Sequence, residues 1–433
     1  MNKRDFLKLS GLSLASSVLP ATALAASNHS SENALKPSSL SSLESITTGI
    51  EPISSDERVR RIKKAQEIMK SLNIAALVLE PGAAMDYFSG IQWWRSERLT
   101  ALIIPQQSEV AVVCPFFEEP SIRETLQVGK DVRVWQEHES PFKQVKAILK
   151  DRGINKGKIA FEESVRYFVL QGVMAELSDM EHVSAEPVTR GCRMYKSLHE
   201  LQLMHKANEV TLKAYEHVWQ QLQVGMSQSQ VVGLMKQAQS QLGGSGAWAL
   251  ALFNEASAYP HGTREEQTIR EGSVVLMDSG CTVHGYRSDI SRTFVFGEAN
   301  SKQRKIWNTV HKGQMIAFEK AQIGTAAGKV DDSVRAFYQS QGFGPEYKLP
   351  GLSHRTGHGI GMETHESVNF VHGETTPLQL GMCFSNEPGI YIPGEFGVRL
   401  EDCLYMGEKG AQWFTEPPAS LEQPLGKLAP MPV

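Results

Sequence analysis

Cysteine is scarce in this chain, at five of 433 residues. Cys114, Cys192, Cys281, Cys383 and Cys403 form no CxxC pair and no Cys/His finger spacing. An odd, scattered set argues against a disulfide framework, and buried strand thiols are the plainer reading. Charge of one sign is not in excess either: 44 basic residues face 48 acidic ones, a net of −4. That leaves no electrostatic footprint for nucleic acid or a membrane surface. No repeat at solenoid period is visible. What is present is a 41% hydrophobic chain, too long for one core of ordinary size, so two domains are expected.

Residues 1–25 read as an export signal rather than as fold. Lys3 and Arg4 make a basic start, and no formal charge occurs from Leu9 to Ser31. Ala23-Leu24-Ala25 is a small-x-small cleavage pattern. The run is too short and too polar to span a bilayer well, so no stable membrane span is expected. Lys3-Arg4-Asp5-Phe6-Leu7-Lys8 resembles the twin-arginine motif with Lys in place of the first Arg, which ranks twin-arginine export ahead of Sec. The expected location of the mature protein is periplasmic or secreted, as for a bacterial protein with a cleaved signal. Cleavage would leave 41 basic against 47 acidic residues, a net of −6.

Residues 26–54 are Ser-rich and read as a disordered linker. From 55 to 192 helices and strands mix over a small α/β domain. A helix is expected at about 56–72, a strand at Ile74–Leu79, a hairpin from Leu99–Ile104 with Val110–Val113, a helix at Phe142–Lys150 and a strand at Lys158–Phe161. A second unit spans 193–433. Ser197-Leu198-His199-Glu200 is a capping box that opens a long amphipathic helix, and Ser227 through Gln230 caps another. Strands at Ser273–Ser279 and Asp289–Val295 follow, with Gly280 and Gly285 marking the turn region between them. Two helices come next, at about 301–322 and 328–341.

The chemistry gathers in the last third. Asp278, Asp289, His358, Glu387 and Glu401 lie in the contexts VLMDSG, YRSDISRTF, RTGHGIG, SNEPGIY and VRLEDCLY. Asp278 and Asp289 can share one space from adjacent paired strands. Glu387 and Glu401 can do the same across a second hairpin, Cys383–Ile392 with Gly397–Met406. Four carboxylates balance two divalent cations and leave room for a bridging hydroxide. Hard oxygens plus one imidazole suit Mn²⁺, Fe²⁺, Co²⁺ or Zn²⁺, and the absence of thiolates argues against structural zinc. Such a pair of ions can activate water and polarise a carbonyl, which points to hydrolysis.

This ordered set resembles the pita-bread metallopeptidases: methionine aminopeptidase, aminopeptidase P and prolidase. The resemblance covers 195–413 and implies an α+β pita-bread (creatinase/aminopeptidase) catalytic domain. NIAALVLEP followed by DYFSGI resembles the smaller creatinase-like α/β domain that precedes it. The resemblance implies that Asp278 chelates one metal, that Asp289 and Glu401 bridge both, and that His358 and Glu387 complete the second, with Glu387 as proton shuttle. His261, His354 and His365 match substrate-contacting positions of the prolyl-specific branch, and Arg399 matches a residue that supports the bridging carboxylate. The expected activity is cleavage of an X–Pro bond at a free amino terminus, as an aminopeptidase or a dipeptidase. Two divalent ions are implied, Mn²⁺ first, and a homodimer or homotetramer. His284, His311 and His372 read as structural. The alternative is a non-peptidase of the same fold, such as a metal-dependent sulfoniopropionate lyase, which carries an extra acid where this chain has Gly280.

Overall fold

Every residue of Ile74–Leu79 is apolar, so this strand needs cover on both faces. The computed structural model, which describes residues 43–433, provides it. The expected export signal and residues 26–42 of the expected linker lie outside the described residues. The amino-terminal domain runs α1 (Ser55–Ser71), β1 (Ile74–Leu79), α2 (Ala83–Ser89), β2 (Ala101–Pro105), β3 (Ala111–Pro115), α3 (Glu119–Thr125), β4 (Asp131–Trp135), α4 (Phe142–Asp151), β5 (Gly157–Phe161), α5 (Tyr167–Glu176), β6 (Met180–Ser184) and α6 (Glu186–Arg193). Its strands form one sheet in the order β4-β3-β2-β1-β5-β6. One face of β1, with Ala76 and Val78, packs against Val145 and Ile148 of α4 and Val169 and Val173 of α5. The other face, with Leu77 and Leu79, packs against Ile62, Ala65 and Met69 of α1.

The second domain continues with α7 (Leu198–Trp219), α8 (Gln228–Gln241), β7 (Ser245–Phe253), β8 (Ser273–Val283), β9 (Tyr286–Arg287), β10 (Ile290–Phe296), α9 (Ser301–Lys320), α10 (Gly328–Ser340), β11 (Gly357–Gly359), β12 (Glu366–Phe370), β13 (Cys383–Asn386), β14 (Gly389–Ile392), β15 (Phe396–Arg399), β16 (Asp402–Gly407) and β17 (Gly410–Trp413). Both capping boxes form: Ser197 with Glu200, and Ser227 with Gln230. A first sheet, β10-β8-β7 with β9, is backed by α7 and α8, and a second, β12-β11-β13-β16-β17, by α9 and α10. The two meet where the Glu401 N–H donates to the Ser291 carbonyl at 3.1 Å and the Thr293 hydroxyl donates to the Arg399 carbonyl at 2.8 Å. This is the α+β pita-bread architecture behind an α/β domain.

The two domains share one hydrophobic core. The cluster containing Leu77 and Met69 runs on through Leu203, Met204 and Val210 of α7, Met235 of α8 and Val275 of β8. A buried polar chain crosses the same boundary. Arg61 of α1 donates to the Tyr286 hydroxyl at 2.8 Å, which donates to Glu200 at 2.7 Å.

Three features depart from the sequence reading. Residues 43–54, expected as disordered linker, are docked instead. Leu43, Ile46, Ile50 and Ile53 pack on the core, and the Ile46 N–H donates to the Leu242 carbonyl at 3.0 Å. The apolar spacing of three to four residues there was hidden by serine. Gly280 is not in a turn, because β8 continues to Val283. A Cβ at that position would overlap the Ser288 carbonyl oxygen, so close strand approach is what demands glycine. The strand β7, read as no element at all, is the edge partner of β8 over Ser245–Phe253. Among the described residues, no helix is long and apolar enough to cross a membrane.

Candidate metal centre

Strand pairing brings the acids together. In the β8–β10 ladder Asp278 faces Ser291. Asp289 lies two residues before Ser291, so the alternation of side chains puts both carboxylates on one face. In the β13–β16 ladder Asn386 faces Asp402, and Glu387 and Glu401 are the next step beyond it. His358 sits on β11, a strand of two glycines around one imidazole. A Cβ at Gly357 would overlap the Ser385 carbonyl oxygen, so the strand fits only without side chains beside the histidine.

Asp289, His358 and Glu401 each bring a ligand atom within 4.8 Å of the others, and all three are buried. Glu387 borders this trio, its Oε1 3.3 Å from His358 Nε2. Asp278 joins from the other side, held at Oδ2 by Arg399 Nη2 at 2.7 Å. The His358 tautomer follows from its surroundings: Nδ1 lies 3.0 Å from the Gly359 carbonyl, so it carries the proton and Nε2 presents its lone pair. Burial drives the His358 pKa down to about 3, which keeps the ring neutral.

Three buried carboxylate oxygens, Asp278 Oδ1, Asp289 Oδ1 and Glu401 Oε1, have no hydrogen-bond partner. Buried acceptors left unmade cost roughly 1–3 kcal/mol each, more when charged. Burial, reinforced by neighbouring acids, raises the Asp289 and Glu401 pKa values well above normal, and burial lifts Glu387 to about 7. A site that keeps acids crowded, dry and unpaired is built for cations, and the hard-oxygen set with one imidazole fits divalent metal ions.

Several supports were not legible beforehand. The Ser291 hydroxyl donates to Glu401 Oε2 at 2.7 Å and accepts from Arg399 Nε at 2.9 Å. Its place two residues after Asp289, on the same face, was the available signal. Behind Glu401, the fully buried Arg292–Asp402 pair at 2.7 Å also donates to the Glu401 carbonyl at 2.8 Å. Cys403 lies beside the centre, but its thiol donates to the Asp289 carbonyl and burial pushes its pKa far up, so it is inert.

The three histidines differ in their circumstances. His365 stacks edge-on against His358 with ring centroids 4.4 Å apart. Among the described residues, neither His365 nor His261 has a hydrogen-bond partner for its ring, and both are exposed. His354 is engaged at both nitrogens: Nδ1 with the Arg355 carbonyl at 2.7 Å, and Nε2 with the Tyr391 hydroxyl at 2.7 Å. Burial, and next the charge of Arg399, lowers its pKa to about 3. It therefore reaches the site through Tyr391, whose hydroxyl also lies 3.3 Å from Arg399 Nη1. Of the histidines read as structural, His284 contacts the Ile50 carbonyl, His311 stacks on Trp307 and His372 pairs with Asp332.

Residues 202–408 match metallopeptidase family M24, and residues 61–195 match the creatinase/prolidase N-terminal domain. The chain is 30% identical over 366 residues to a putative dipeptidase, YkvY, of Bacillus subtilis, covering 84% of this chain and 99% of that protein. The chain belongs to metallopeptidase family M24. Within this family it is also similar to an Xaa-Pro dipeptidase of Lactobacillus delbrueckii subsp. lactis, at 29% identity over 82% of this chain and 96% of that one. Among solved structures, dipeptidase PepE from Mycobacterium ulcerans matches with a TM-score of 0.78 and 29% identity, covering 88% of this chain and 100% of that one. The chain is thus an M24 metallopeptidase of the prolidase and aminopeptidase P branch, which implies divalent metal ions.

Proposed function

We propose that this M24 metallopeptidase hydrolyses the X–Pro bond at the amino terminus of short peptides, using two divalent ions held by Asp278, Asp289, His358, Glu387 and Glu401. The observation that carries this reading is the buried cluster of Asp289, Glu401 and the neutral His358, in which one oxygen of each acid, like one of the nearby Asp278, has no hydrogen-bond partner. When bound, the ions would supply an activated water and a Lewis acid for the peptide carbonyl. Asp289 and Glu401 would help to hold both ions, and Mn²⁺ is the first candidate.

The chain's own residues do the rest. Glu387, with a pKa raised to about 7 by burial, can accept a proton from water at Oε1 and return it to the proline nitrogen as the C–N bond breaks. Arg399 holds Asp278 and, through Ser291, Glu401. His261 and His365 offer free ring nitrogens to the substrate, and Tyr391 is oriented by His354. An X–Pro bond has no N–H, so a site that holds the substrate by its carbonyl and ends loses nothing on it. The lyase alternative is disfavoured by Gly280, where the Ser288 carbonyl leaves no room for the acid it needs.

Residues 1–25 further support export to the periplasm or exterior, which amino-terminal sequencing of the mature protein checks. The test of function is metal analysis of the purified protein combined with cleavage of X-Pro and X-Pro-Y peptides after Mn²⁺ loading. Two bound ions with no turnover on any X-Pro peptide would remove the assigned specificity.

A further inference from the structure

We infer that Asn369 is a specificity-determining residue whose side-chain carbonyl accepts the backbone N–H of the residue after proline, so that the cleft takes X-Pro-Y peptides. This rests on the X–Pro reading above and deepens it.

Strand register puts Asn369 beside the metal centre. It pairs with His358 across β11 and β12, and residues directly opposite in a ladder project from the same face. The adjacent pair, Gly357 with Phe370, marks the other face: Phe370 stacks on Phe384 in the core beneath, with ring centroids 4.3 Å apart. Ser385 shares the face of His358. Its hydroxyl accepts the His358 N–H at 3.0 Å and lies 3.4 Å from Glu387 Oε1. Asn369 therefore looks into the cleft that holds the cage.

Its carboxamide is left open there. Asn369 is half-buried, and among the described residues its side chain makes no hydrogen bond. Its Oδ1 is buried and without a partner. The orphaned oxygens of Asp278, Asp289 and Glu401 are charged and answer to metal ions. Asn369 is neutral, one strand further out, and what it lacks is an N–H donor.

The leaving group departs on this side. Glu387, which hands its proton to the proline nitrogen, borders His358 at 3.3 Å, whereas Asp278 joins the cage from the opposite side. The next strand out from β11 is β12, the edge of its sheet. A cleft of about 220 Å³ continues along that strand, lined by His365 and Ser367 with Glu162, Ser164 and Thr189 of the amino-terminal domain across the seam. The chain beyond Y has room in it. In X-Pro-Y the Y nitrogen is three bonds from the scissile nitrogen and carries the first N–H after it, since proline has none. A buried carbonyl oxygen at this rim takes that N–H. The carboxylate of an X-Pro dipeptide has no such proton to give.

The test compares an X-Pro-Gly amide with the depsipeptide in which an ester oxygen replaces the Gly N–H. Both lack a free carboxylate, so charge does not enter. Wild type, Asn369→Leu and Asn369→Asp are each Mn²⁺-loaded and checked for metal content and melting midpoint. Wild type is expected to favour the amide in kcat/KM by on the order of 10-fold, the worth of one neutral hydrogen bond closed in a dry site. In Asn369→Leu, which keeps the shape and removes the acceptor, the ratio should fall towards one, chiefly through the KM of the amide. Asn369→Asp, which keeps an acceptor, should retain the preference. No preference in wild type, a preference that survives in Asn369→Leu, or an equal loss in both variants would overturn the inference. Should neither peptide be cleaved, the X–Pro reading falls. Calorimetric binding of the same pair then judges Asn369: the inference stands if wild type discriminates and Asn369→Leu does not, and falls if the two peptides bind wild type alike or not at all.

Discussion

Stripping the metal should leave buried acids whose contribution to stability falls as pH rises, against the usual behaviour of carboxylates in ion pairs. Glu387 has its pKa lifted by burial from 4.5 to about 7. The metal-free folded state therefore binds a proton that the unfolded chain releases at lower pH. By linkage, that group's contribution to stability is fully present below about pH 4.5 and is lost as pH rises through about 7. At 1.36 kcal/mol per pKa unit the change is about 3 kcal/mol. Asp289 and Glu401, also raised by burial and by neighbouring acids, act in the same direction. With an unfolding entropy of about 2.1 cal/mol/K per residue, 3 kcal/mol on a domain pair of this size is roughly 3–4 °C in melting midpoint. The assay is thermal unfolding in EDTA and in excess Mn²⁺ from pH 5 to 8. Between pH 5 and 8 the EDTA midpoint of wild type should fall relative to that of Glu387→Gln, since His354 and His358, held neutral with pKa values of about 3, push both proteins the other way and cancel in the comparison, while the gain on adding Mn²⁺ should grow, because metal replaces protons. Glu387→Gln isolates the term: in EDTA its midpoint should gain on wild type as pH rises and should lie above it at pH 8, while its metal affinity is reduced. A difference in EDTA between Glu387→Gln and wild type that stays constant or shifts in favour of wild type from pH 5 to 8 would refute the reasoning.

Arg399→Gln removes the cation that orients Asp278 and, through Ser291, Glu401; metal affinity should drop about 10- to 100-fold by titration calorimetry, as for other groups supporting ligands. Gly280→Ala forces a methyl into the Ser288 carbonyl, and should cost about 1–3 kcal/mol or more in denaturant unfolding and lower metal content by shifting Asp278. Glu366 is buried and paired with Lys196 at 2.9 Å and Arg193 at 2.6 Å. Burial opposes its charge, but these two cations win and hold its pKa at about 2. Its stabilising share is present above about 4.5 and lost as pH falls through about 2, and Glu366→Gln should cost about 3–5 kcal/mol at neutral pH by leaving two cations uncompensated.

The parts of this molecule that rest on local pattern were readable in one dimension. Alternation on β8 and β10 predicts that Asp278 and Asp289 share a face, and the Ser197 and Ser227 capping boxes form as expected. The ordered acids and histidine identified the family's type of centre. The unread parts depend on convergence of distant segments. Ser291, Tyr391 and the Arg292–Asp402 pair look like ordinary polar residues until three strands bring them behind Glu401. The strand β7 was missed because its Gly-Ala-Trp-Ala-Leu run carries neither clean alternation nor a helical period.

The core shared between the two domains carries a consequence for how such a chain can be divided. Met69, Leu77, Met204 and Val275 belong to one continuous apolar cluster, and Arg61, Tyr286 and Glu200 form one buried polar chain across the seam. Cutting between α6 and α7 would open this shared cluster and leave Glu200 without its cation. The catalytic half is consequently not a portable cartridge. Its gene cannot be spliced to a new partner domain without redesigning the surface that α1 now fills, and in the intact chain both halves should melt together.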